Sequence, residues 1–201
     1  MPTLTFWYEF ASTYSYLSAM RVEDECRKAG TDLVWRPFLL GPIFGAQGWT
    51  TSPFNLYPAK GAYMWRDMER QIAARGLPPL TRPDPFPQNG LLAARVATIG
   101  AGEGWIAPFS RAVFDAAFAR NRSISDVAVL DAVLSPIVAD PQAIIERAQN
   151  DQTIKDRLKQ QTADAAARGL FGAPSFTRED GELFWGDDRL EDALRWAVAP
   201  G

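Results

Sequence analysis

The residues best placed to do chemistry begin with Ser12. It follows the apolar run Phe6-Trp7-Tyr8-Glu9-Phe10-Ala11 and opens Thr13-Tyr14-Ser15-Tyr16-Leu17, so it stands where a strand gives way to a helix. Free backbone N–H groups and the positive helix end converge at such a junction, and an anion, including a thiolate, is stabilised there. The same hydroxyl also fits an ordinary helix N-cap, with Thr13 and Ser15 as rival caps. Cys26 is the only thiol. It shares a helix face with Val22, away from any helix N-terminus, and reads as a packed core residue.

Three further segments carry candidate groups. In Gly169-Leu170-Phe171-Gly172-Ala173-Pro174-Ser175-Phe176, a proline starts a strand after a small residue and a glycine-rich turn. Pro174 is a candidate cis proline that leaves the backbone of Ala173 open to a ligand; a trans proline opening an edge strand is the alternative. In Trp185-Gly186-Asp187-Asp188-Arg189-Leu190, two carboxylates open a helix. They cap it, or they hold an ammonium group. In Asn55 to Asp67, Lys60 is either solvated or turned to a ligand, and Asp67 has Arg70 three residues on as a partner.

These groups must be positioned by an α/β framework. Leu4, Phe6, Tyr8 and Phe10 alternate on one face, with Trp7 the one large apolar group on the other, which allows a central strand covered on both sides. The spacing predicts one helix from Ser12 to Gly30, then a strand through Leu33-Val34-Trp35 towards Leu40, in a right-handed parallel crossover. Residues 41–58 read as a long loop. Residues 60–75 read as a helix with Tyr63, Met64, Met68 and Ile72 inward, and 78–87 as a proline-dense connector. Helical patterns fall at about 89–101, 105–120, 126–138 and 141–168, with starts at Asp126 and Asp140. Glu179-Asp180-Gly181 joins a hairpin, and Leu190, Ala193, Leu194 and Ala197 mark a last helix. The layout is a discontinuous α/β domain, 1–40 and 151–201, interrupted by a helical block, 41–150.

Composition narrows the function. With no histidine and one cysteine in 201 residues, there is no Ser-His-Asp triad, no Cys-His pair and no Cys-x-x-Cys redox pair. No metal site is expected. A net charge of −3 gives no basic footprint for nucleic acid. No apolar run approaches the roughly 20 residues of a membrane helix, and no basic segment precedes an apolar stretch at Met1-Pro2-Thr3-Leu4. The expectation is a soluble cytoplasmic protein.

Taken together, Phe10-Ala11-Ser12-Thr13-Tyr14-Ser15-Tyr16-Leu17, Lys60-Gly61-Ala62-Tyr63-Met64-Trp65-Arg66-Asp67, Phe86-Pro87-Gln88-Asn89, Phe171-Gly172-Ala173-Pro174 and Phe184-Trp185-Gly186-Asp187-Asp188-Arg189-Leu190 form a pattern in a fixed order. The chain resembles the 2-hydroxychromene-2-carboxylate isomerases, relatives of the kappa-class glutathione transferases and of the DsbA-like oxidoreductases. The resemblance implies a thioredoxin-like fold with a large all-helical insertion. It implies glutathione as cofactor, with Ser12 as the activating serine. It also implies that Ala173-Pro174 is the cis-proline turn that pairs with the cysteine portion, and that Trp185, Gly186, Asp187 and Asp188 lie at the γ-glutamyl end. Asn55 and Lys60 are implied in the pocket for a small aromatic 2-oxo acid, and a homodimer is implied. The chain departs from the family in having Thr13 where proline often follows the serine, and Thr51 competes with Asn55 for the place of the substrate-loop asparagine. A kappa-class-like conjugating transferase and a non-catalytic thioredoxin-like binding or chaperone module are the other readings.

Overall fold

The computed structural model describes residues 1–199. Its sheet has four strands in the order β2-β1-β3-β4: β1 (Thr3–Tyr8), β2 (Asp32–Pro37), β3 (Ser175–Thr177) and β4 (Leu183–Trp185). β1 runs parallel to β2, with Phe6 opposite Trp35, and antiparallel to β3, with Phe6 opposite Phe176. β4 returns antiparallel to β3. Because β1 is internal, both its faces are covered. Leu4, Phe6 and Tyr8 join the larger core, while Trp7 packs on the opposite side with Phe38, Ile43 and Leu170. The Phe6 ring stacks on Phe176 and meets Trp35 edge-on. These aromatic contacts lock the register of three strands from a single residue.

Between β1 and β2 lie two helices where the spacing predicted one: α1 (Thr13–Ala19) and α2 (Val22–Ala29). The break falls at Met20–Arg21. Arg21 leaves helical geometry, and its guanidinium reaches Asp187 and Glu191 in the C-terminal segment. Gly30 ends α2 in the left-handed conformation. Cys26 is buried, and burial together with Glu25 pushes its thiol up to about 12, so it is a packing residue.

β2 ends at Pro37, and Leu40 opens α3 (Leu40–Ala46) where an extended segment was expected. The stretch 41–58 is likewise no continuous loop, since α4 (Pro53–Leu56) follows, capped by Ser52. Pro42 and Pro53 lie in the first turns of these short helices, positions that proline tolerates. α5 (Pro58–Ala74) buries Met64, Met68 and Ile72, but Tyr63 is 63% exposed, not inward. The helical block continues with α6 (Leu91–Glu103), α7 (Ile106–Phe118), α8 (Val127–Leu134) and α9 (Pro141–Asn150), and α10 (Gln152–Ala167) follows it. Asp126 and Asp140 cap α8 and α9 as their positions predict. A short 3₁₀ turn (Asp187–Arg189) leads into α11 (Leu190–Val198), which buries Leu190, Ala193, Leu194 and Ala197.

One apolar cluster runs from β1 through α1, α6 and α7 to α9, so the helical block shares the core of the sheet. The last two positions of the 151–201 segment lie outside the described residues. Among the described residues no helix is long and apolar enough to cross a membrane.

Candidate active site

A cleft of about 1000 Å³ opens where the C-terminal end of β1 meets the start of α1. The turn after β1 presents Ser12 to it. Ser12 has extended backbone geometry, and its Oγ accepts the Ser15 N–H at 3.2 Å. Ser12 is therefore itself the N-cap, while Thr13 and Ser15 are buried behind it. The Ser12 hydroxyl also donates to the Ala173 carbonyl at 2.9 Å, across 161 positions of sequence. Its oxygen is thus oriented by a backbone donor, and its one proton points into the cleft wall.

Ala173 and Pro174 are joined by a cis peptide bond. The Pro174 carbonyl accepts the Gly186 N–H at 3.0 Å, which ties the Ala173 turn to the end of β4. Gly186 sits at φ 113° and ψ 148°, a backbone state open essentially to glycine alone. Gly172 is constrained differently: a Cβ there would collide with the Trp185 indole, which lies against it. Trp185 and Phe171 pair with ring centroids 4.9 Å apart, and both remain about half exposed at the rim.

At one end of the cleft Asp187 is buried. Its Oδ1 accepts from Ser18 Oγ at 2.8 Å, Arg21 Nε at 3.2 Å and an Arg75 N–H at 3.2 Å; Oδ2 accepts from Arg75 at 2.5 Å. A buried carboxylate must be paired, and two guanidiniums with a serine hydroxyl satisfy it. Asp187 thus anchors α1, α5 and the C-terminal segment together. Asp188 differs: its side chain is 74% exposed, with Arg189 its only ion-pair partner among the described residues. Gln71, Arg75, Asp187 and Asp188 all line this end, so an anion and a cation are both on offer there.

The opposite wall comes from α3 to α5. Lys60 lines the cleft with Nζ 5.8 Å from the centre of the Phe54 ring. Asn55 does not line it. Its amide is exposed and donates to Thr51 Oγ1 at 3.2 Å and to the Phe86 carbonyl at 2.9 Å, bracing the wall from outside. Thr51, the alternative at that place, does line the cleft. Tyr14 donates to Asp67 Oδ2 at 2.9 Å, and Asp67 also accepts from Arg70 at 3.3 Å; Tyr14, Tyr63 and Asp67 all face the cleft.

Glu9 is the least anticipated member. Its side chain lines the cleft wall yet is 8% exposed. Oε2 accepts the Leu40 N–H at 3.0 Å, capping α3. No cation lies within salt-bridge distance of it among the described residues. Burial pushes its carboxyl up to about 7, against the pull of the backbone N–H groups of Leu40, Ala11 and Phe10. A glutamate among aromatic residues at a strand's end was the available signal for it. Arg75 left no comparable trace, because only the Asp187 it pairs with makes it a site residue.

The cleft therefore brings Ser12, Lys60, Ala173, Pro174, Trp185, Gly186, Asp187 and Asp188 onto one surface and leaves Asn55 behind it. Such a surface suits an extended ligand with a polar backbone, a charged end and an apolar portion. Comparison with known proteins agrees on the architecture. Residues 3–195 match the DSBA-like thioredoxin domain family. A 2-hydroxychromene-2-carboxylate isomerase from Sphingobium xenophagum is 28% identical over 94% of each chain. One from Pseudomonas putida is 26% identical over 92% of this chain and 89% of its own. A solved 2-hydroxychromene-2-carboxylate isomerase superimposes with a TM-score of 0.83 at 23% identity, covering 94% of this chain and 91% of the other. A sheet in the order β2-β1-β3-β4, a cis proline opening β3, a helical block between β2 and β3 and a match along nearly its whole length place the chain in the DsbA-like thioredoxin family.

Proposed function

We propose that the chain is a glutathione-dependent isomerase of 2-hydroxychromene-2-carboxylate-type and trans-o-hydroxybenzylidenepyruvate-type compounds. Two relatives matched over some nine-tenths of the chain are named 2-hydroxychromene-2-carboxylate isomerase. The observation that carries the reading is the Ser12 hydroxyl, oriented by Ser15 and lying against the Ala173 carbonyl inside the cleft.

The residues present fit glutathione. Ala173 offers a carbonyl to an extended peptide, in the manner of strand addition. Arg75 and the exposed Asp188 offer the cation and anion that an α-amino acid end requires. Asp187, already held by Ser18, Arg21 and Arg75, contributes by fixing Arg75. When bound, glutathione supplies a thiol whose anion adds reversibly to a conjugated 2-oxo acid.

The chain's part is to hold that anion and the substrate. Lowering a thiol from about 8.5 to about 6.5 takes about 2.7 kcal/mol. A hydrogen bond from a hydroxyl to a charged group contributes about 1.5–3 kcal/mol. α1 has seven residues, so its end adds only the small part of the usual range, about 0.3–1 kcal/mol. Most of the effect thus falls to Ser12 Oγ. Its proton is committed to Ala173, and a ligand N–H that takes over that carbonyl frees it to turn to sulfur. Lys60 supplies a positive charge for the substrate carboxylate, with Tyr14, Tyr63 and Phe54 beside it as ring surfaces.

The test is turnover of a trans-o-hydroxybenzylidenepyruvate with and without glutathione, with products weighed by mass spectrometry. Isomerisation that stops without glutathione, leaves the thiol unconsumed and falls at least about a hundredfold in Ser12→Ala supports the reading. A stable glutathione adduct would make the protein a conjugating transferase instead. No turnover, with no change in melting temperature at saturating glutathione, would favour a binding module.

A further inference from the structure

A second cleft, about 880 Å³, adjoins the first. Pro42 and Ile43 of α3 form one wall, and one face of α10 forms the other. Leu39, Pro42, Leu91 and Phe171 line both clefts, so the two are neighbours that share a wall. Its walls are mostly apolar, but three cations reach it: Arg95 from α6, and Lys155 and Lys159 one turn apart on α10. Among the described residues none of the three has an ion-pair partner. The Nε of Arg95 is buried and donates to nothing. Asp156 is the one acid of the lining, and it accepts from Gln152 at 2.9 Å.

The Arg95 Nε is sealed inside, so the accessible remainder of the guanidinium and the two lysines face the cleft with uncompensated charge, and a carboxylate matches the guanidinium fork in charge and geometry. We propose that this second cleft binds a small apolar carboxylate, its acid group on Arg95 with Lys155 and Lys159 at the mouth and its hydrocarbon against Ile43, Leu91 and Phe171. The proposal is independent of the chemistry assigned to Ser12. A neutral molecule would leave Arg95 unanswered, and a strongly polar anion would waste the apolar walls.

The experiment titrates 2-naphthoate into the full chain and follows backbone amide NMR shifts. Saturable shifts across residues 155–166 are expected. The neutral analogue 2-naphthalenemethanol should bind at least about tenfold more weakly, as should 2-naphthoate to Arg95→Met. Lys159 is exposed, so Lys159→Glu keeps the fold and should weaken binding as well. Any of four results would overturn the proposal. These are silence at 155–166, equal binding of the alcohol, unchanged affinity in both variants, or shifts at 155–166 that follow protein concentration alone, which would mark a second copy as the occupant.

Discussion

Glu9 makes a sharp test of the cleft's electrostatics. In the unfolded chain its carboxyl titrates near 4.5, and in the folded protein burial moves it to about 7. The folded state therefore binds the proton more tightly, and stability falls as pH rises between these values. At about 1.36 kcal/mol per pH unit, the loss from this one group reaches about 3 kcal/mol by pH 8. Glu9→Gln keeps an oxygen for the Leu40 N–H and removes the titration. Urea unfolding of both proteins at pH 4, 6 and 8 reads the effect as the difference between variant and wild type, which cancels every other titrating group. That difference should rise by about 3 kcal/mol in favour of Glu9→Gln from pH 4 to pH 8, with most of the rise between pH 5 and 7. A difference that stays flat with pH would refute the account, since Glu9 would then carry its charge at no cost. The neutral form also keeps a second negative charge away from any anion held at Ser12.

Other perturbations read the same architecture. Asp187→Ala leaves Arg75 without its acid and, among the described residues, Arg21 with Glu191 alone. The expected loss is about 2–3 kcal/mol, below the about 3–5 of a fully buried pair, because the arginine side chains are 19% and 24% exposed; thermal unfolding shifted by less than a degree would contradict it. Gly186→Ala forces a side chain into φ 113° and sets its Cβ 2.6 Å from Asp188 Oδ1. It should cost about 1–3 kcal/mol in chemical denaturation and weaken glutathione binding, and an unperturbed variant would show that the turn is not constrained as described.

Much of this arrangement was legible in the residues. Alternation in β1, the left-handed Gly30 and the caps Asp126 and Asp140 are local signals, and each maps onto an element end or a buried face. Ser12 was legible as a junction residue for the same reason. What escaped is long-range. The single helix expected after Ser12 is broken because Arg21 is drawn to Asp187, 166 positions away. Leu40 starts a helix because Glu9, 31 positions earlier, caps it. Asn55 carries the right chemistry, but its amide is turned to Thr51 and Phe86, and no spacing rule reports which way a side chain on a short helix faces. Asp187, expected to cap a helix or to hold an ammonium group, is instead held by two arginines that only the tertiary fold brings near.

The most direct measurement is the protonation of glutathione bound to the protein, followed by thiolate absorbance in the ultraviolet as pH is varied at saturation. With wild type the midpoint should fall from the free value of about 8.5 to about 6.5, and in Ser12→Ala it should return most of the way. A midpoint near 8.5 in wild type, or the same low midpoint in both proteins, would contradict the role given to the Ser12 hydroxyl.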